Sequence, residues 1–227
     1  MSVNPNAAIE ITAFSLVPEP AKGLVKDLRV RWALEEAGLD YRVRLIGGER
    51  PSGYLQDQPF NQVPCFRDDA VRIFESGAIV QYIGEKSDAL LPSDPQGRYR
   101  AILWSYAAVN SVEPFVQIRT LLDGFWAGED WAGSSKPTFD RLAQMRLQQV
   151  ADWLDDKEWL EGDRFTIGDL MMISVLRIAD RGQLLADLPT LAAYVKRGQT
   201  RPAFQHALND QLAVFAANEP QAEGAAA

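Results

Sequence analysis

A change of pattern near residue 90 constrains this chain more than any other feature. Before it, short runs suited to strands alternate with helical periodicities; after it, the pattern is helical almost throughout. Leu91-Pro92-Ser93-Asp94-Pro95 lies at the change, and two prolines in four positions suit a linker. With 227 residues there is length for two modest domains, each with its own core. The expected layout is a first domain over 9–90, a linker over 91–97 and an all-helical domain over 98–217. Residues 1–8 and 218–227 read as loose tails, polar or small and interrupted by Pro5, Pro220 and Gly224.

In the first half, Ile9, Ile11 and Ala13 alternate with polar neighbours, which predicts a strand. A loop with Pro18, Pro20 and Gly23 leads to a helix whose apolar stripe is Val30, Ala33, Leu34 and Ala37, closed by Gly38. Tyr41–Leu45 alternates strictly and predicts a second strand. After a Gly- and Pro-rich loop, Val63–Phe66 and Val71–Phe74 read as a hairpin turning at Asp68-Asp69, and Ser76 is expected to cap the next helix. In the second half a long helix should start near Arg98 and be disturbed at Pro114. A break is expected over Gly128–Pro137, then a helix with Ala143, Leu147, Val150 and Leu154 on its buried stripe. Thr166-x-x-Asp169 is a capping box, with Phe165 and Leu170 at the staple positions. Two helices follow, around Leu191–Arg197 and from Pro202.

Charge and composition exclude several classes of function. The formal net charge of −8 argues against a general grip on nucleic acid or on an anionic membrane. One cysteine, Cys65, cannot form an internal disulfide or a CxxC pair, and one histidine, His206, excludes multi-histidine metal sites. No run is long and apolar enough to span a membrane and the first residues do not read as a signal peptide, so a cytoplasmic location is expected.

Two segments could carry chemistry. In Gln62-Val63-Pro64 the proline enters a strand, and a cis peptide there would turn the Val63 backbone groups outward to pair with a peptide; a plain structural turn is the other reading. In Phe74-Glu75-Ser76-Gly77-Ala78-Ile79 a strand gives way to a helix. The Ser76 hydroxyl and the first free amides make an anion site, and Glu75 offers a partner for an ammonium group, a pair that matches an amino acid. A capped helix beside a solvated glutamate would look the same. Cys65 reads as a small buried hydrophobe and His206 as a surface residue.

Taken with Arg29–Gly38, Leu91-Pro92 and Phe165–Leu170, these segments resemble the glutathione S-transferase family in order and spacing, over about Ile9 to Phe215. The resemblance implies a thioredoxin-like domain followed by a helical one, and a two-fold dimer. It implies glutathione as co-substrate, no metal, and a hydrophobic electrophile as the other partner. Val63 would pair with the cysteinyl part, with Pro64 in cis, while Glu75 and Ser76 would hold the γ-glutamyl ammonium and carboxylate. Gln62 stands where the family usually has a lysine near the glycine carboxylate. Tyr106, Asn110 and Phe115 would face the co-substrate pocket. The implied activity is conjugation of the glutathione thiolate to an apolar electrophile. The alternatives are isomerisation, dehalogenation or peroxide reduction, and a non-catalytic member that binds glutathione or a protein.

The thiol-activating residue is where the chain departs from the family, which uses Tyr, Ser or Cys after the first strand. Here that stretch reads Phe14-Ser15-Leu16-Val17-Pro18. Ser15 is the catalytic candidate, with the backbone amides of Pro18–Gly23 or the charge of Lys22 as alternatives.

Overall fold

A computed structural model of the chain describes residues 3–220. The first domain holds β1 (Ile9–Phe14), α1 (Asp27–Ala37), β2 (Tyr41–Ile46), α2 (Tyr54–Asp57), β3 (Cys65–Arg67), β4 (Arg72–Phe74) and α3 (Ser76–Gly84). The sheet order is β2-β1-β3-β4, with β1 parallel to β2 and antiparallel to β3, and β3 antiparallel to β4. This is the thioredoxin-like arrangement. The helical domain holds α4 (Pro95–Ala107), α5 (Glu113–Asp123), α6 (Asp130–Leu154), α7 (Ile167–Arg181), α8 (Pro189–Gln199) and α9 (Pro202–Ala217).

β1 is a central strand, so its polar residues are buried as well as its apolar ones, and each is satisfied. The Glu10 carboxylate meets Arg42, Arg44 and Arg67 at 3.0–3.2 Å. The Thr12 hydroxyl accepts the Cys65 amide at 2.7 Å and lies 3.1 Å from the Tyr54 hydroxyl. Cys65 is buried there, and burial pushes its thiol pKa up.

Helix α1 carries the contact between the domains and is buried along most of its length, from Asp27 to Leu34. Trp32, with no exposed surface, stacks 5.5 Å from Phe165 and edge-on 4.9 Å from Phe204. Aromatic burial of this kind contributes a large apolar area to the adhesion, and ring geometry adds to it. Gly38 takes φ 65° to end the helix, the left-handed conformation that glycine adopts without strain. On the other side, α7 crosses α4 at Gly168. A Cβ built there would stand 2.7 Å from the Trp104 Cβ, so only glycine lets the two helices approach this closely.

Several expectations need correction. Residues 3–8 are not a loose tail: the Asn4 amide donates to the Tyr41 carbonyl at 2.8 Å, Val3 bridges Tyr41 and Ala7 is buried. The C-terminal tail is described only to residue 220, and there Glu219 pairs with Lys22; residues 221–227 lie outside the described residues. The long helix starts at Pro95 rather than near Arg98. Its disturbance near Pro114 is a π-helical turn over Ala108–Val112, which absorbs the donor that proline lacks. The break expected over Gly128–Pro137 lies at 124–129 instead, because α6 already begins at Asp130 and runs through Pro137. Gly133, four residues earlier, is exposed, so water can satisfy the carbonyl that Pro137 cannot serve. Ser76 is the first helical residue and not the cap, a position that Glu75 occupies. His206 is exposed, as expected, with Nδ1 3.8 Å from a Glu35 carboxylate oxygen.

Candidate active site between the two domains

Two clefts adjoin where the sheet domain meets α4, α5 and α7. The polar one, of about 590 Å³, is lined by Glu75, Ser76, Lys26, Arg29, Tyr106 and Asn110 among others. The apolar one, of about 380 Å³, is lined by Phe14, Leu24, Val25, Val63, Leu121 and Ile178, with Gln62 and Thr120 among its polar groups. Lys26 and Gln117 line both, so the two clefts adjoin at these residues.

The polar cleft is built at the start of α3. Strand β4 ends at Phe74, and Glu75 then takes φ 72°, a left-handed conformation that few non-glycine residues adopt. That turn leaves the Glu75 side chain exposed on the cleft and tucks Ser76 under it, 4% exposed. The first amides of α3 have no partner within the helix, and they add a partial positive charge there. The Ser76 hydroxyl accepts from Arg29 Nη1 at 3.4 Å. Arg29 is itself held by Glu113 at 2.9 and 3.2 Å, and Lys26 reaches the same carboxylate at 3.1 Å. Burial alone would push the Glu113 carboxyl up; Arg29 foremost, then Lys26, outweighs it and holds the carboxyl below the ordinary glutamate range.

The apolar cleft is built around the Val63-Pro64 peptide, which is cis as expected. Tyr54 on α2, an element the sequence reading missed, fixes this loop by donating its hydroxyl to the Gln62 carbonyl at 2.6 Å. Gln62 and Val63 then line the cleft, while Pro64 is buried behind them.

The candidate residues divide accordingly. Gln62, Val63, Glu75, Ser76, Tyr106 and Asn110 come together on the clefts. Tyr106 and Asn110 face the space between the domains, on the polar cleft with Glu75 and Ser76. Phe115 lines neither and lies beneath the Arg146 guanidinium, 5.4 Å from its ring centre. Ser15 also lines neither. Its amide donates to the Ile46 carbonyl at 3.0 Å, and its hydroxyl oxygen lies 4.0 Å from where a Cβ on Gly47 would stand. Lys22 is bound to Glu19 and Glu219. Sequence reasoning missed Lys26, Arg29, Glu113 and Gln117. The available signal was charge on otherwise apolar helix faces, Arg29 beside Val30 and Glu113 between Val112 and Pro114.

Among the described residues, no helix is long and apolar enough to cross a membrane.

Comparison with known proteins gives a consistent picture. Models of the glutathione S-transferase N-terminal and C-terminal domains match residues 23–85 and 140–202. An Escherichia coli glutathione S-transferase, GstA, is 31% identical over 190 residues, covering 78% of this chain and 89% of its own. A maleylacetoacetate isomerase of Rhizobium meliloti is 30% identical over 201 residues, 81% of this chain and 91% of its own. Among solved structures, a glutathione transferase from Methylococcus capsulatus is 27% identical with a TM-score of 0.72, covering 90% of this chain and 99% of that one. A glutathione transferase family member from Pseudomonas fluorescens, solved with two glutathione bound, shares the fold at 24% identity and a TM-score of 0.78, covering 90% and 93%. With both domain models matched in order and a relative of this identity along most of its length, the chain belongs to the glutathione S-transferase family.

Proposed function

We propose that the protein transfers the sulfur of glutathione to an electrophilic, largely apolar small molecule. The observation that carries this reading is the adjacency of the two clefts, which share Lys26 and Gln117. A polar end with Glu75 and Ser76 suits an amino-acid head group, and an apolar end with Val63 suits a thiol meeting an apolar partner. Glutathione would lie across Lys26 and Gln117. Glu75 would take its γ-glutamyl ammonium, Ser76 and the α3 amides its carboxylate, and the Val63 backbone its cysteinyl part. The electrophile would enter between Phe14, Leu24, Leu121 and Ile178. Gln62 offers the glycine end a neutral contact, and the active form would be a two-fold dimer by family likeness.

The chemical task of the site is to ionise the thiol. A cysteine-type thiol titrates near about 8.5, so only a few per cent is thiolate at pH 7. Ser15 stands outside the clefts, and we assign thiolate stabilisation instead to Lys26, which lines both and whose ammonium would swing from Glu113, held also by Arg29, to the sulfur. An ammonium group near the sulfur favours its charged form. Lys26→Met is expected to raise the pKa of the bound thiol by about one unit, some tenfold in thiolate near neutrality. Ser15→Ala should leave the titration unchanged. Ultraviolet thiolate absorbance against pH, read in both variants, decides between them: a shift on Ser15→Ala alone would return the role to the serine. For the reaction itself, the test is glutathione consumption against a panel of apolar electrophiles, and no turnover with glutathione bound would favour the non-catalytic reading.

A further inference from the structure

Arg29 and Glu113 meet at the polar cleft from opposite domains, and both are almost completely buried at 4% exposure. Arg29 projects from the first turn of α1, and Glu113 opens α5. The carboxylate grips the guanidinium through both oxygens, which leaves its plane fixed. Nη1, already bonded to Glu113 at 3.2 Å, also reaches the Ser76 hydroxyl oxygen at 3.4 Å. A guanidinium has donors only, so in this pair the serine must accept, and its single proton is left to be donated elsewhere. Around that proton stand the unpaired first amides of α3 and the Arg29 charge. The Glu113 carboxylate at this corner is already taken up by Arg29 and Lys26.

We infer that Arg29, braced by Glu113 of the helical domain, is a positioning residue that occupies one lone pair of the Ser76 hydroxyl and turns its proton toward the ligand, and so favours ligands with a free α-carboxylate at the γ-glutamyl end. The ion pair thereby links recognition of the ligand's head group to the docking of the two domains. Lysine could not replace Arg29 here. One ammonium cannot hold both Glu113 oxygens in plane and reach Ser76 as well.

This inference rests on the glutathione reading, and its test separates the two. Calorimetry would compare glutathione with the analogue lacking the γ-glutamyl α-carboxylate, 4-aminobutanoyl-cysteinyl-glycine. The unaltered protein should prefer glutathione by about 10–100-fold, the worth of a charge-assisted contact. In Arg29→Met that preference should fall to within about threefold, mainly through weaker glutathione binding. Arg29→Lys, the gentler change for folding, should lose at least half of it on a logarithmic scale. Glu113→Gln leaves the cleft more positive, so simple attraction would tighten glutathione binding, whereas positioning predicts weaker binding. Equal weakening of both ligands in the arginine variants, or tighter binding in Glu113→Gln, would overturn the inference while leaving the glutathione site intact. An unaltered protein that binds neither ligand would overturn the glutathione reading, and this inference with it.

Discussion

Asp169→Ala is expected to destabilise the protein by about 3–5 kcal/mol, the largest effect of any single change considered for this chain. The carboxylate is wholly buried and serves four donors. Oδ1 accepts the Leu160 amide and the Tyr194 hydroxyl, each at 2.8 Å. Oδ2 accepts the Thr166 amide at 2.9 Å and its hydroxyl at 3.1 Å. The residue thus closes the capping box of α7 and also ties in α8, through Tyr194, and the loop before α7, through Leu160. Alanine would leave those buried donors unpaired, and each unmet donor costs about 1–3 kcal/mol. Burial pushes the Asp169 carboxyl up while the four donors oppose it, so the site depends on acceptors as much as on charge. Asp169→Asn should cost nearly as much, because its amide would point donors at donors. Thermal unfolding should show a fall in midpoint of roughly 10 °C or more for a domain of this size. A fall of only a degree or two would mean that the box is ornamental.

The second expected result concerns binding. Ser76→Ala should weaken glutathione binding by about 1–3 kcal/mol, roughly ten- to hundredfold, because a charge-assisted bond to the carboxylate is lost. The cost to folding should be small, since the hydroxyl's one visible partner is Arg29, which keeps its bidentate hold on Glu113. Calorimetry on the folded variant reads the effect directly. An unchanged affinity would move the ligand's carboxylate away from the start of α3.

How much of this was legible in the sequence follows from which interactions are local. The strands, α1 with its glycine end, the capping box and the Glu75-Ser76 turn depend on neighbours a few residues away, so pattern and spacing revealed them. The cis peptide before Pro64 came from the family resemblance and stands in the structure. What escaped is long-range. Glu113 and Arg29 are 84 residues apart, and nothing in either neighbourhood says that they meet. Phe115 sits next to residues that line the cleft, and only the direction of its side chain, toward Arg146, removes it. Pro137 was read as a breaker because proline disfavours helix interiors, yet an exposed position tolerates it. Ser15 was chosen as the one hydroxyl after β1. Sequence position could not tell that it lines neither cleft.

The central claim is that the two adjoining clefts form one glutathione site which delivers an ionised thiol to the apolar end. The most direct test is to titrate the thiol of glutathione bound to the unaltered protein, by ultraviolet thiolate absorbance against pH, at saturating protein. The account predicts saturable binding and a thiol that ionises at least about one unit below its free value near 8.5, with S-methylglutathione competing for the same site. A bound thiol that titrates with the free value, or no saturable binding at all, would contradict it.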